Sequence, residues 1–128
     1  ISSKIKIAHG VPQGSILGPI LFLVYVCRLN SVIQHGDLIQ YADDTTLCFK
    51  GKSTQDLEIT SFVELTSCIQ YFTDRNLKTN QSKSNVINFC LRPREFARQP
   101  AVFVDDVLLE ETGSTKFLGM YIDQGLTW

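Results

Sequence analysis

Asp43 and Asp44 are adjacent carboxylates in the stretch Tyr41-Ala42-Asp43-Asp44, and their surroundings decide what they can do. Leu38 and Ile39 lead in, Thr45-Thr46-Leu47-Cys48-Phe49 leads out, and both runs read as short strands. Adjacent side chains on a straight strand point to opposite faces, whereas a tight bend aims both carboxylates and a nearby carbonyl at one point. Hard divalent cations seek that crowd of oxygens, and Mg²⁺ is held by one or two carboxylates plus substrate phosphates. The chemistry suggested is phosphoryl or nucleotidyl transfer, with metal ions clamping the attacking and leaving oxygens. The plain alternative is a solvated acidic turn, since paired aspartates are also ordinary turn residues. Asp105-Asp106 supplies an internal comparison. Between Ala101-Val102-Phe103-Val104 and Val107-Leu108-Leu109 it reads as a two-residue hairpin turn without chemistry.

Three further blocks accompany the paired aspartates. Gly10-Val11-Pro12-Gln13-Gly14-Ser15-Ile16-Leu17-Gly18-Pro19 runs into Ile20-Leu21-Phe22 upstream. Leu77-Lys78-Thr79-Asn80-Gln81-Ser82-Lys83-Ser84 and Lys116-Phe117-Leu118-Gly119 follow downstream. In this order the four blocks resemble the palm of a reverse transcriptase, most similar to those of non-LTR (LINE-type, jockey-like) retrotransposons. The glycine block and the Tyr-Ala-Asp-Asp box are the specific ones. The lysine block is looser, and the last is weak by itself.

The resemblance implies an RNA-directed DNA polymerase that transfers nucleotides to a primer 3′ end by a two-metal mechanism. It implies Asp43 and Asp44 as ligands of Mg²⁺, with Mn²⁺ as a substitute. Lys83 would then lie near the leaving pyrophosphate, stabilising developing charge or acting as general acid, against the alternative of a solvated loop lysine. Gly10, Pro12, Gln13 and Gly14 would face nucleotide and template, with helix entry and tight turning as the structural alternative for the glycines. Tyr41, Phe117, Leu118 and Gly119 would contact the primer, although Tyr41 also suits a packed strand aromatic. Implied partners are an RNA template, a DNA primer, deoxynucleoside triphosphates, and the fingers, thumb and remaining palm of the same polyprotein. No membrane is implied. One departure stands out: Cys27-Arg28 occupies the end of the glycine-loop helix, where many such relatives carry Asn-Asp. The rival reading is therefore a palm-like nucleic-acid-binding or structural remnant of a decayed element, with no chemistry of its own.

Composition bounds these readings without choosing between them. A chain of 128 residues is at most one domain, and its 44% hydrophobic and 20% charged content is that of a globular protein. Twelve basic residues against 13 acidic ones give a net charge of −1, so phosphate-neutralising surface has to come from local patches or other parts. Cys27, Cys48, Cys68 and Cys90 lack metal-ligand spacing and sit in apolar patterns, which suggests buried free thiols in a reducing compartment, cytoplasmic and nuclear. Ile16 to Cys27 is too short to span a bilayer, and no secretory signal is visible. The chain starts at Ile1 and stops inside Gly125-Leu126-Thr127-Trp128, and both ends read as cut. The expectation is one palm fragment over 1–128, from the strand before the glycine loop to the primer-grip region. It would lack fingers, thumb and the first palm aspartate, and would be inactive alone.

These motifs need elements to hold them. Alternation at Lys4-Ile5-Lys6-Ile7 predicts a strand over 2–9. Ser15 can cap a helix running to about Asn30, apolar on nearly every side and therefore central to the core. His35-Gly36-Asp37 predicts a turn ahead of the aspartate hairpin. Ser53 and Asp56 predict a capped helix whose buried face carries Ile59, Phe62, Leu65, Ile69 and Phe72, with Thr60, Glu64, Ser67 and Asp74 off it. Val86 to Leu91 and Phe117 to Ile122 read as strands. Asn80 shapes its own loop, and Arg92, Arg94 and Arg98 form a basic stretch, solvated or touching product phosphate. The class is α+β: a partial polymerase palm of RRM/ferredoxin-like type, an antiparallel sheet backed by helices, with a C-terminal β-hairpin.

Overall fold

A computed structural model describes residues 10–12, 14–89 and 98–127. The strand expected over 2–9, and Gln13, Cys90, Leu91, Arg92 and Arg94, lie outside the described residues.

Helix α1 spans Gly18–Val26, with Pro19 in the first turn, where a missing N–H leaves no hydrogen bond unmade. Ser15 does not cap it. The N-cap position is Leu17, without a side-chain bond, and Ser15 instead closes a turn by donating its N–H to the Pro12 carbonyl at 3.0 Å. The helix also stops short of Asn30, and a separate 3₁₀ turn, Leu29–Ser31, follows. Only Val26 of α1 is buried, while Ile20, Leu21, Leu23, Val24 and Tyr25 are exposed. A helix that is apolar all round needs cover on every side. The described elements give it little, so the expected central position in the core is not met.

Strands β1 (Gly36–Tyr41) and β2 (Asp44–Phe49) pair antiparallel, from Gly36 opposite Phe49 to Tyr41 opposite Asp44. The preceding bend is at Gln34-His35, and Gly36 and Asp37 are already strand residues rather than turn.

Helix α2, Thr54–Thr73, starts as expected. The Ser53 hydroxyl accepts from the Asp56 N–H at 3.1 Å, and the Asp56 carboxylate accepts from the Lys52 N–H at 3.2 Å. It ends in a Schellman motif: Asn76 takes φ 54°, and the Leu77 N–H reaches back to the Phe72 carbonyl at 2.9 Å. The buried face is not the expected one. Ser61, Glu64, Cys68 and Tyr71 are buried at steps of three, four and three, whereas Ile59 and Phe62 are more than half exposed. Those two instead line an open groove with Val63, Ala101 and Phe103.

The core of the described residues is Leu29, Ile33, Cys68 and Tyr71, flanked by Val32, Leu38, Leu47 and Phe72. The hairpin and the segment before it thus select which face of α2 is covered. The ends of the two helices are clasped. Tyr25 donates its hydroxyl to the Arg75 carbonyl, Arg75 Nε donates to the Tyr25 carbonyl at 3.2 Å, and the guanidinium lies 3.6 Å from the centre of the Tyr71 ring.

Arg98 is solvent-exposed, as the solvated alternative expects, but its guanidinium is already paired with a carboxylate. It grips Glu58 of α2 through both guanidinium nitrogens at 2.6 and 2.7 Å, and Glu58 also accepts from the Ala101 N–H at 2.8 Å. Beyond it come β4 (Phe103–Val104), β5 (Val107–Leu108), β6 (Glu110–Glu111), β7 (Ser114–Phe117) and β8 (Met120–Asp123). β4–β5 and β7–β8 are antiparallel hairpins, and β6 pairs in parallel with β3 (Asn85–Val86). The strand expected over 86–91 is thus only Asn85–Val86 among the described residues. The run Phe117 to Ile122 is a hairpin instead of a strand, because Leu118 (φ 48°) and Gly119 (φ 87°) reverse the chain. The class is α+β, with strands in four two-stranded sheets among the described residues. No described helix is long and apolar enough to cross a membrane.

Candidate active site

The β1–β2 register leaves Ala42 and Asp43 as the two turn residues and makes Asp44 the first residue of β2. Ala42 adopts φ 52°, a left-handed conformation that costs a residue with a Cβ on the order of 1–3 kcal/mol. The comparison pair differs in kind. Asp105 (φ 47°) and Asp106 (φ 63°) are both turn residues between paired Val104 and Val107, as a type I′ hairpin requires. One aspartate pair fills a turn, while the other straddles turn and strand behind a strained alanine. Asp43 and Asp44 are exposed, and no ion pair among the described residues engages either. Two exposed carboxylates at one tip suit a hard divalent cation that completes its shell with water and substrate phosphate. Among the described residues no third Asp, Glu, His or Cys joins them in a metal-holding group. Tyr41 is 65% exposed, so it is not a packed strand aromatic.

The base of this hairpin is held by a residue expected on the polar side of its helix. Glu64 is only 2% exposed. Its Oε2 accepts from the Gln34 N–H at 3.0 Å, and its Oε1 accepts from the His35 N–H at 2.9 Å with His35 Nδ1 also at 2.9 Å. Burial raises the carboxyl pKa, but the bonds from Gln34 and His35 outweigh it and hold Glu64 below its ordinary value. Glu58 is also held low, by Arg98 first and the Ala101 N–H second. Depressed carboxyls contribute stability that is fully present above their ordinary value of 4.5 and is lost as pH falls through the lower folded-state value. The urea midpoint of a folded domain carrying this segment should therefore be flat above about pH 5 and fall below it. Glu64→Gln should shrink that acid limb, and an identical limb in the variant would remove Glu64 as a source.

The glycine loop precedes α1. Gly10 and Gly14 have φ 80° and 81°, and a Cβ built on either would meet nothing within 4 Å. Their glycine character thus serves backbone conformation and not close packing against the described residues. Pro12 is exposed. Lys83 is exposed on the 3₁₀ turn Gln81–Lys83. Asn80 shapes that turn as expected: its carbonyl accepts from the Lys83 N–H at 3.1 Å, and its side chain accepts from the Ser82 hydroxyl at 2.7 Å. Leu118-Gly119 forms the tip of the β7–β8 hairpin, with Phe117 half-buried and Leu118 exposed. The structure brings Tyr41, Asp43 and Asp44 together on one tip. No hydrogen bond among the described residues ties that tip to Lys83 or to the Leu118-Gly119 turn. Gln81 instead donates to the Val104 carbonyl, at 3.4 Å, beside the comparison hairpin. Of the thiols, Cys68 is buried and pushed up to about 11 by that burial, whereas Cys27 is exposed, contrary to expectation.

Residues 2–122 match the family described as Reverse transcriptase (RNA-dependent DNA polymerase). The chain belongs to the reverse transcriptase family. All of this reverse transcriptase sequence aligns, at 31% identity, with 14% of the probable RNA-directed DNA polymerase from transposon X-element of Drosophila melanogaster. The RNA-directed DNA polymerases from mobile element jockey of Drosophila melanogaster and Drosophila funebris are 34% and 30% identical over 98% of the chain. The expected likeness to jockey-like elements is borne out. The chain spans about 14% of the length of these relatives. No solved structure matches it.

Proposed function

We propose that this chain is part of the palm of a retrotransposon RNA-directed DNA polymerase, which adds deoxynucleotides to a DNA primer on an RNA template. The observation that carries the reading is the exposed aspartate pair straddling the β1–β2 turn, in a chain of the reverse transcriptase family. Asp43 and Asp44 hold divalent cation, Mg²⁺ or in its place Mn²⁺, from one hairpin tip. Bound cations supply charge neutralisation on the attacking and leaving oxygens. Gly10, Pro12, Gln13 and Gly14 border nucleotide and template, where the two glycines present bare backbone with no described atom within 4 Å of a Cβ position. Tyr41, Phe117, Leu118 and Gly119 meet the primer, and Lys83 faces the departing pyrophosphate.

In the complete polypeptide, fingers, thumb and a further palm aspartate come from outside these 128 residues. With them the helices and hairpins complete an RRM/ferredoxin-like sheet. Such an enzyme works in the cytoplasm and nucleus, where its RNA and its DNA target are found.

The test uses the complete polypeptide carrying this segment, a DNA primer annealed to RNA, and Mg²⁺ or Mn²⁺. Extension that requires both metal and the complementary deoxynucleotide is expected. Tight primer–template binding with no extension under either metal would favour the non-catalytic remnant instead.

A further inference from the structure

We propose that Glu64 is a positioning residue for nucleotidyl transfer, a buried latch on α2 that fixes the angle at which β1–β2 presents Asp43 and Asp44; this rests on the polymerase reading above. The latch lies at the opposite end of the hairpin from the aspartates. Glu64 carries no substrate-facing surface, since it is 2% exposed and both its oxygens are taken by the Gln34-His35 bend. That bend leads directly into Gly36, the first residue of β1.

A second observation shows that the base is tightly fitted. A Cβ on Gly36 would stand 2.8 Å from the ring of Phe49, its cross-strand partner, and 3.2 Å from the Cys48 carbonyl. Leu38 and Leu47 pack the hairpin onto the core, which decides the face it turns inward. Apolar contact is non-directional, so it sets angle less sharply than charge-assisted hydrogen bonds do.

The lever is long. At about 3.3 Å per residue, the strand carries an error at Gly36 to the tip over roughly 17 Å. A tilt of about 2° then moves the carboxylates by ~0.5 Å, which is the tolerance of a productive constellation. Glu64→Gln keeps the size but offers one acceptor oxygen and an amide N–H₂. That N–H₂ meets a backbone N–H, donor against donor, so one side of the bend is released.

The experiment compares the complete polymerase with its Glu64→Gln and His35→Ala forms in single-turnover nucleotide addition. Burst amplitude reports the folded, active fraction, and burst rate reports geometry within it. Glu64→Gln should lower the burst rate about tenfold, with the nucleotide Kd within about twofold of the parent. His35→Ala removes an exposed ring and one of the three bonds, and should give a smaller fall in the same direction. Hydrogen exchange on the same proteins reads the latch without activity: amides of 34–38 should exchange faster in Glu64→Gln, and those of β7–β8 should not. A burst rate within twofold of the parent, with only amplitude reduced, would overturn the proposal and leave Glu64 as plain scaffold. A parent that never extends primer would sink the polymerase reading. In that case unchanged exchange at 34–38 would overturn the latch separately.

Discussion

Asp43→Asn in the complete polymerase should lower primer extension by on the order of 10³-fold or more, a barrier increase of about 4 kcal/mol. Asn has nearly the same shape and keeps one oxygen, so the hairpin, held by its register and by the core under Leu38 and Leu47, should fold unchanged. What is lost is the negative charge, which balances a divalent cation and fixes where the reacting oxygens sit. Asp105→Asn is the control. Asp105 occupies a left-handed turn position (φ 47°) that asparagine tolerates at least as well, and its weak contact to Gln81 at 3.4 Å survives the change. Extension in Asp105→Asn should stay within about twofold of the parent. The measurement is the single-turnover rate on an RNA template at saturating Mg²⁺ and nucleotide, with circular dichroism to confirm folding. Equal loss in both variants would erase the distinction between a straddling pair and a turn pair.

That distinction shows what local sequence can carry. The two-residue turn at Asp105-Asp106, the Ser53 cap of α2 and the Asn80 loop are each built from neighbours within a few positions. Residue type therefore nearly dictates them. The aspartate hairpin was legible for the same reason. The Leu118-Gly119 turn was not, because Phe117 to Ile122 holds five apolar residues around a single glycine and reads as one continuous strand. Only the two consecutive positive φ values reveal the reversal.

The rest depended on contacts between distant segments. α2 carries apolar residues on two adjoining faces, and periodicity alone favours the one with Ile59 and Phe62. The covered face is the one bearing Glu64, because the Gln34-His35 bend supplies donors that make a buried carboxylate tolerable. A glutamate flanked by Val63 and Leu65 looks like a solvated helix residue until its partners, 29 and 30 positions away, are known. The Tyr25–Arg75 clasp and the Glu58–Arg98 grip have the same character, with separations of 50 and 40 residues. Arg98, grouped by sequence with a basic loop, belongs to the scaffold once Glu58 is seen beside it. Polar residues that bond across the fold were the ones hidden.

Lys83 tests the looser part of the site, and its replacement should have the second largest effect. The residue is exposed, its turn is braced by Asn80, Ser82 and Ser84, and no ion pair among the described residues occupies its ammonium. A braced backbone carrying a cation with no ion-pair partner among the described residues suits a group that meets an anion when substrate arrives. Stabilisation or protonation of the leaving pyrophosphate strengthens as negative charge develops, so it acts on the transition state more than on ground-state binding. Lys83→Ala should therefore lower the maximal rate of nucleotide addition by about 10²-fold, while the nucleotide Kd changes by much less. Lys83→Arg separates the two roles. Arginine keeps the charge but is effectively never deprotonated, so it restores electrostatic stabilisation and not proton transfer. Recovery of most of the rate in Lys83→Arg would identify a charge effect. A rate as low as that of Lys83→Ala, together with loss of a solvent isotope effect seen in the parent, would identify a general acid. A maximal rate in Lys83→Ala equal to the parent's would return the residue to an ordinary solvated loop and narrow the chemistry to the aspartate hairpin alone.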